Sequence, residues 1–172
     1  MKLHPYVLAA AAALCCLLVT GRAQADYIFL EITGVPGEVV TPATFAGQIG
    51  LNSLQFGAGG TPCAGGTRSY SEIVVTKLQD KATVPLYAAL RDHTVYGTAT
   101  IRFVRAADNQ ISQFYTLTNA VVTGISTSSG GDRPSESLSL AYSQLLMSYT
   151  FFDGSGKAGG TQSTTLVNAV CP

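Results

Sequence analysis

Residues 125–150 read ISTSSGGDRPSESLSLAYSQLLMSYT. The stretch opens on a polar turn centred on Gly130-Gly131-Asp132-Arg133-Pro134. It continues with Leu138, Leu140 and Tyr142 pointing one way and Ser137, Ser139 and Ser143 the other. Alternation with period two marks a strand buried on one face. Residues 135–146 and 148–152 are therefore expected as strands.

The same pattern recurs on both sides of this block. Residues 27–32 form a compact apolar run closed by the turn cluster Gly34-Val35-Pro36-Gly37. A second strand is expected over residues 48–56. Residues 57–66, GAGGTPCAGG, read as a flexible loop. The β-branched run Ile73-Val74-Val75-Thr76 marks another strand, over residues 69–78. Residues 98–104 alternate cleanly, with Ala99, Ile101 and Phe103 on one face. Asp108-Asn109-Gln110 reads as a turn. Residues 113–126 read as a long strand with a bulge at Gly124. Residues 154–160 read as a loose loop, and residues 164–170 as a last short strand.

One segment breaks the pattern. Residues 84–91, VPLYAALR, form a two-turn helix candidate. Thr83 is placed to cap it through its hydroxyl, and Pro85 is tolerated where first-turn amides lack intrahelical acceptors. A helix this short depends on packing. The expected fold is mainly β: a small antiparallel β-barrel or sandwich with one short α-helix.

The N-terminus reads differently. Lys2, the apolar residues 7–19 and the small-x-small site Ala23-Gln24-Ala25 make a secretory signal peptide. The apolar run is shorter than the roughly 20 residues a membrane-spanning helix needs. Cys15 and Cys16 lack the small preceding residue of lipoprotein processing. The expected organisation is a leader over residues 1–25 and a single domain over residues 26–172, secreted or periplasmic.

The whole chain balances ten Lys and Arg against ten Asp and Glu. Lys2 and Arg22 leave with the leader, so the mature domain is slightly acidic. No basic stripe marks a nucleic-acid partner, and no further segment marks a membrane partner. Cys63 and Cys171 remain after processing. Two cysteines in an exported chain point to a disulfide within the chain, with a bridge between subunits as the alternative.

Chemistry-bearing motifs are sparse. His93 follows the helix candidate, where a histidine is favoured electrostatically, and it has no partners in the sequence pattern for a metal site or a triad. The Walker pattern fails at Phe151 and Ala158. The dinucleotide fingerprint fails at Pro62. A calcium loop starting at Asp153 fails at Thr164. The reading is non-enzymatic, with no cofactor and no metal.

Several segments together resemble the Hcp (hemolysin-coregulated protein) family, the tube subunit of type VI secretion systems. Residues 27–38, YIFLEITGVPGE, are similar to the family's opening strand and Gly-x-x-Gly-Glu turn. Thr76-Lys77-Leu78-Gln79-Asp80-Lys81-Ala82-Thr83 is similar to its segment before the helix. Residues 126–139, with Asp132, Arg133, Pro134 and Glu136, form the most specific block. Tyr149-Thr150 matches the end of the following strand. The chain lacks the family's usual tryptophan.

The resemblance implies a non-catalytic protein that assembles with itself as hexameric rings stacked into a tube, with secreted effector proteins as further partners. It makes Lys77, Asp80, Lys81, Asp132, Arg133, Pro134 and Glu136 the candidate motif and assembly residues. Read without the family, Lys77 and Asp80 are a solvated edge and a pre-helix turn, and Asp132-Arg133-Pro134 is a rigid turn. The leader and the cysteine pair keep a second reading open: a free-standing, monomeric exported binding module on the same fold.

Overall fold

The computed structural model describes residues 26–60, 67–167 and 169–170. The expected leader, Cys63 and Cys171 lie outside the described residues. The strands are β1 (Tyr27–Ile32), β2 (Ile49–Leu51), β3 (Ser53–Gln55), β4 (Ala58–Gly60), β5 (Thr67–Tyr70), β6 (Ile73–Leu78), β7 (Val95–Val104), β8 (Ile111–Ser128), β9 (Ser135–Ala141), β10 (Gln144–Phe152), β11 (Ala158–Val167) and β12 (Ala169–Val170). Helix α1 (Thr83–Arg91) lies between β6 and β7.

The main sheet is nine-stranded and antiparallel. Its path runs β2-β1-β7-β8-β9-β6-β3, with β10 added to β8 and β11 to β10. The hydrogen-bonded ladder does not close on itself, as a complete barrel would. Its ends are nevertheless one residue apart in the chain: Asn52 separates β2 from β3 and donates its N–H to the Thr76 carbonyl (2.7 Å). A second sheet, β12-β5-β4, stands beside it.

The core fills the inner face. Leu30, Ile49, Ile73, Val75, Ile101, Leu117, Leu138, Leu140 and Leu145 are buried there, with Leu86 of α1. These are the positions that period-two alternation selects on β6, β7 and β9. A smaller cluster of Phe29, Phe45 and Val104 occupies the opposite face of β1. The bulge expected at Gly124 is present: the β8–β9 register shifts between Val122 and Gly124.

The strands expected over residues 48–56 and 69–78 each divide in two, into β2 and β3 and into β5 and β6, and three further expected boundaries move for a tertiary reason. The start of the glycine loop is a strand, because β4 pairs with β5 from Ala58↔Tyr70 to Gly60↔Arg68. The expected strand over residues 135–146 is broken between β9 and β10, where the Ser143 N–H and Oγ both bond the Thr118 carbonyl. Gly159 and Gly160, expected in a loop, begin β11. The Phe151 ring lies over both, and a Cβ on Gly159 would come within 2.6 Å of its Cε2. The bare backbone of the glycine pair is covered by that ring.

Helix α1 is not capped as expected. Its N-cap is Ala82, with no side-chain cap bond. The Thr83 hydroxyl accepts instead from the Asp80 N–H (3.1 Å), while Asp80 Oδ1 accepts from the Ala82 N–H (3.0 Å). At the other end His93 is exposed with φ +50°. Its N–H reaches the Leu90 carbonyl (3.4 Å), and the Thr94 N–H reaches that of Ala89 (3.0 Å). This is a Schellman ending with histidine in the left-handed position that glycine favours. His93→Gly is expected to stabilise the protein by roughly 1 kcal/mol, as read from the urea midpoint. A loss of stability would contradict this assignment.

Candidate functional site

The motif residues meet where β6 ends and β9 begins, beside the start of α1. On β6, Ile73, Val75 and Lys77 share the inward face; on β9, Glu136, Leu138 and Leu140 do. The register pairs Lys77 directly with Glu136. Two opposite charges therefore enter the core side by side. Lys77 is 0% exposed and Glu136 2%, so the solvated-edge reading of Lys77 is wrong. The strand's alternation carries the residue inward whatever its charge.

The Lys77 ammonium is surrounded by acceptors. Its Nζ lies 2.7 Å from Glu136 Oε2, 2.8 Å from Asp80 Oδ1, 3.0 Å from the Leu78 carbonyl and 3.2 Å from Thr83 Oγ1. The Thr83 hydroxyl donates to Glu136 Oε2 (2.9 Å). A buried charge is tolerated only when paired and hydrogen-bonded in this manner. Among the described residues, Glu136 Oε1 has no hydrogen-bond partner. Every Lys77 donor is engaged, and Lys77 and Glu136 are shielded from solvent. The cluster fastens the pre-helix turn and α1 to the sheet.

Above the buried cluster lies an exposed rim. Glu38 Oε1 accepts from the Lys81 N–H (3.0 Å), and its Oε2 accepts from Arg133 Nη2 (2.7 Å). The Arg133 Nε donates to the Gln79 carbonyl, and the Gln79 N–H donates to the Pro134 carbonyl (2.8 Å). Three segments far apart in sequence are thus joined: the Gly-x-x-Gly-Glu turn, the pre-helix turn and the Asp132-Arg133-Pro134 turn. The Arg133 hydrogen bond holds the Glu38 carboxyl below its ordinary value against the opposing effect of desolvation, with help from the Lys81 amide and both positive charges.

The candidate residues divide accordingly. Lys77, Asp80 and Glu136 form the buried cluster. Lys81, Arg133 and Pro134 form the rim, Lys81 and Pro134 through their main chain. Asp132 is exposed and accepts from the Ser129 hydroxyl through its own carbonyl (3.3 Å). Glu38 and Thr83 belong to the site although sequence reading did not select them. The available signal for Glu38 was its place directly after Gly37 in the family turn. A surface pocket of about 300 Å³ opens beside the rim, lined by Tyr27, Glu38, Leu78, Asp80 and Arg133 among others. Among the described residues, no group of three or more His, Cys, Asp or Glu is placed to hold a metal ion.

The family described as "Type VI secretion system effector, Hcp" matches residues 29–149. A solved structure described as a type six secretion system protein is 27% identical, with a TM-score of 0.77, covering 83% of this chain and 96% of its own. Hcp1 from Salmonella typhimurium is 20% identical, with a TM-score of 0.72 and coverage of 84% and 96%. A type VI secretion system effector from Yersinia pestis is 16% identical, with a TM-score of 0.70 and coverage of 81% and 98%. No curated protein matches the chain.

Proposed function

Because the chain belongs to the Hcp family of type VI secretion, we propose that it is a non-catalytic structural protein that assembles with itself, head to tail, as a ring-shaped tube component. The resemblance makes the ring a hexamer, with exported effector proteins as passengers. The leader-like residues 1–25 make it an exported protein, secreted or periplasmic. On this reading Lys77, Asp80 and Glu136 hold the shape of the assembly face, and Lys81, Asp132, Arg133 and Pro134 present it.

The observation that carries the ring is a pair of open sheet edges. β7, β8, β10 and β11 lie side by side in that order. Among the described residues, β11 pairs with β10 alone. At the far side, β1 pairs with β7 only from Ala99 onward, which among the described residues leaves the β1 side of residues 95–98 without a strand partner. Neither edge contains a charged residue or a proline. Natural edge strands are usually blocked by such residues, and unblocked ones invite another strand. Two different edges on one copy suit a heterologous contact, which closes as a ring when the rotation permits.

Light scattering on the size-separated mature chain tests this reading. The expected mass at micromolar concentration is about six protomers. A strictly monomeric species would overturn the ring in favour of a free-standing exported binding module.

The cysteines bear on the same assembly. Val170, directly before Cys171, pairs in the second sheet with Thr67, four residues after Cys63, and Ala169 pairs with Arg68. This pairing supports a Cys63–Cys171 bridge within one chain, fastening the tail. It forms by exchange with a disulfide-bearing oxidoreductase, which takes up the two protons and two electrons that the thiols lose. Such a bridge stabilises by ~2–4 kcal/mol. Intact mass after alkylation is expected to show a monomeric chain with no reactive thiol until a reductant is added. A disulfide-linked dimer, or two thiols alkylated without reductant, would contradict it.

A further inference from the structure

The strands of the main sheet end together, and the expected mature domain begins at one of those ends. Tyr27 pairs with Val104, Val104 with Ile111, Gln113 with Tyr149, and Phe152 with Ala158. The start of β1 therefore lies at the same end of the sheet as the β7–β8 turn and the β10–β11 turn. Side chains tie the three together. Asp26 Oδ1 accepts from the Ala106 N–H (3.3 Å) in the first turn. Arg105 beside it donates from Nη1 to the Gly156 carbonyl (3.3 Å) in the second, and its guanidinium lies 4.1 Å above the Phe152 ring. The rim is at this end too. Ile28 pairs with Leu51, the next residue Asn52 bonds the Thr76 carbonyl, and Lys77 pairs with Glu136. Asp26 accordingly shares one pocket with Glu38, Leu78, Asp80 and Arg133.

We infer that the leader, while attached, keeps rings from stacking, and that its removal at Asp26 frees one ring face for growth of the tube. The inference rests on the tube reading above. Copies joined edge to edge set their strands side by side around the ring, so the strand ends make up its two faces. Asp26 stands on one of them, beside the β7–β8 turn and the Glu38–Arg133 rim. The domain allows no slack there: Tyr27 is already in the ladder, its ring stacks on Phe29 (5.7 Å), and Phe29 stacks on Phe45 (5.1 Å). Each copy in a ring therefore tethers one leader to the same face. Two surfaces pack when their atoms approach within about 4.5 Å, and a single layer of extended chain between them already takes up ~4.8 Å. Cleavage after Ala25 by a leader peptidase consumes one water. Its hydroxyl goes to the Ala25 carbonyl carbon and a proton to the Asp26 nitrogen, and the new acid passes its own proton to that amine. Ala25 departs as a carboxylate and Asp26 keeps an ammonium, so no leader residue stays on the face. Tube growth is thereby confined to the compartment in which the leader is removed.

A removable extension provides the test. The chain beginning at Asp26 is compared with the same chain carrying a Gly/Ser extension as long as the leader. A protease site ends directly before Asp26, so that digestion leaves no added residue. Gly and Ser reproduce the bulk of the leader without its apolar run. Sedimentation velocity and electron microscopy at one protomer concentration read the assembly. The chain beginning at Asp26 is expected to form stacks several-fold heavier than one ring. The extended chain is expected to stop at single rings, and digestion of that same sample is expected to restore the stacks, which excludes misfolding as the cause. Stacks of equal mass with and without the extension would overturn the inference and leave the tube reading intact. Loss of the ring itself in the extended chain would overturn it too, because the extension would then obstruct a strand edge and not a ring face. If the chain beginning at Asp26 does not stack, the tube reading fails and the inference with it.

Discussion

Lys77→Met is expected to destabilise the protein by about 3–5 kcal/mol, the usual cost of removing one partner from a buried ion pair. Lys77 and Glu136 are both within 2% of complete burial. Without the ammonium, Glu136 keeps only the Thr83 hydroxyl, and its Oε1 already lacks a partner. Asp80 loses its 2.8 Å contact as well, but lies at the edge of the cluster where water can reach it. The double variant Lys77→Met with Glu136→Leu is expected to recover most of the loss. Apolar residues of similar volume often replace a buried pair at little cost. Urea unfolding followed by circular dichroism measures both. A single variant that loses less than about 1 kcal/mol would show that Lys77 does not supply the charge Glu136 needs.

Gly37→Ala is the second large effect. An added Cβ would coincide with the main chain of Gln48 and Ile49, and no flexible side chain is there to yield. The same glycine donates its N–H to the Gly47 carbonyl (2.7 Å), and Val39, two residues on, donates to that of Gln48 (3.1 Å). The two chain segments are held at backbone contact. Overpacking typically costs about 1–3 kcal/mol, and a clash with main chain belongs at or above the top of that range. The rim should loosen too, because Glu38 is the next residue. Gly34→Ala is the useful contrast: its φ is +85°, yet nothing stands within 4 Å of the new Cβ. Its expected cost is the smaller ~1–2 kcal/mol of a left-handed L-residue. Equal melting temperatures for the two variants would refute the close-approach role of Gly37.

Much of the architecture could be read from local pattern. The strand over residues 27–32 has the expected bounds, the bulge sits at Gly124, and the helix begins one residue before its expected start. Local spacing sufficed there because alternation and β-branching act within a few residues. It failed at Ala58–Gly60 and at Gly159-Gly160, where intrinsic preference is weak. In both places a neighbour supplies the order: β5 through its ladder, and β10 through the Phe151 ring. Thr83 was misread for a related reason. A hydroxyl at a helix start suits capping, but a buried lysine and glutamate nearby compete for it and win.

The buried pair shows where the division falls. The sequence by itself determined that Lys77 shares a face with Ile73 and Val75, and Glu136 with Leu138 and Leu140, because a strand has period two. It also determined the β class, the family and the identity of the turn segments. Only the tertiary structure decided that β6 lies against β9 with Lys77 opposite Glu136. It also decided that Glu38 and Arg133, 95 residues apart, meet on the rim above them. Register is a long-range choice. It is set by the summed burial of whole strands and by the need of each buried charge for a partner, and no short window of residues contains either.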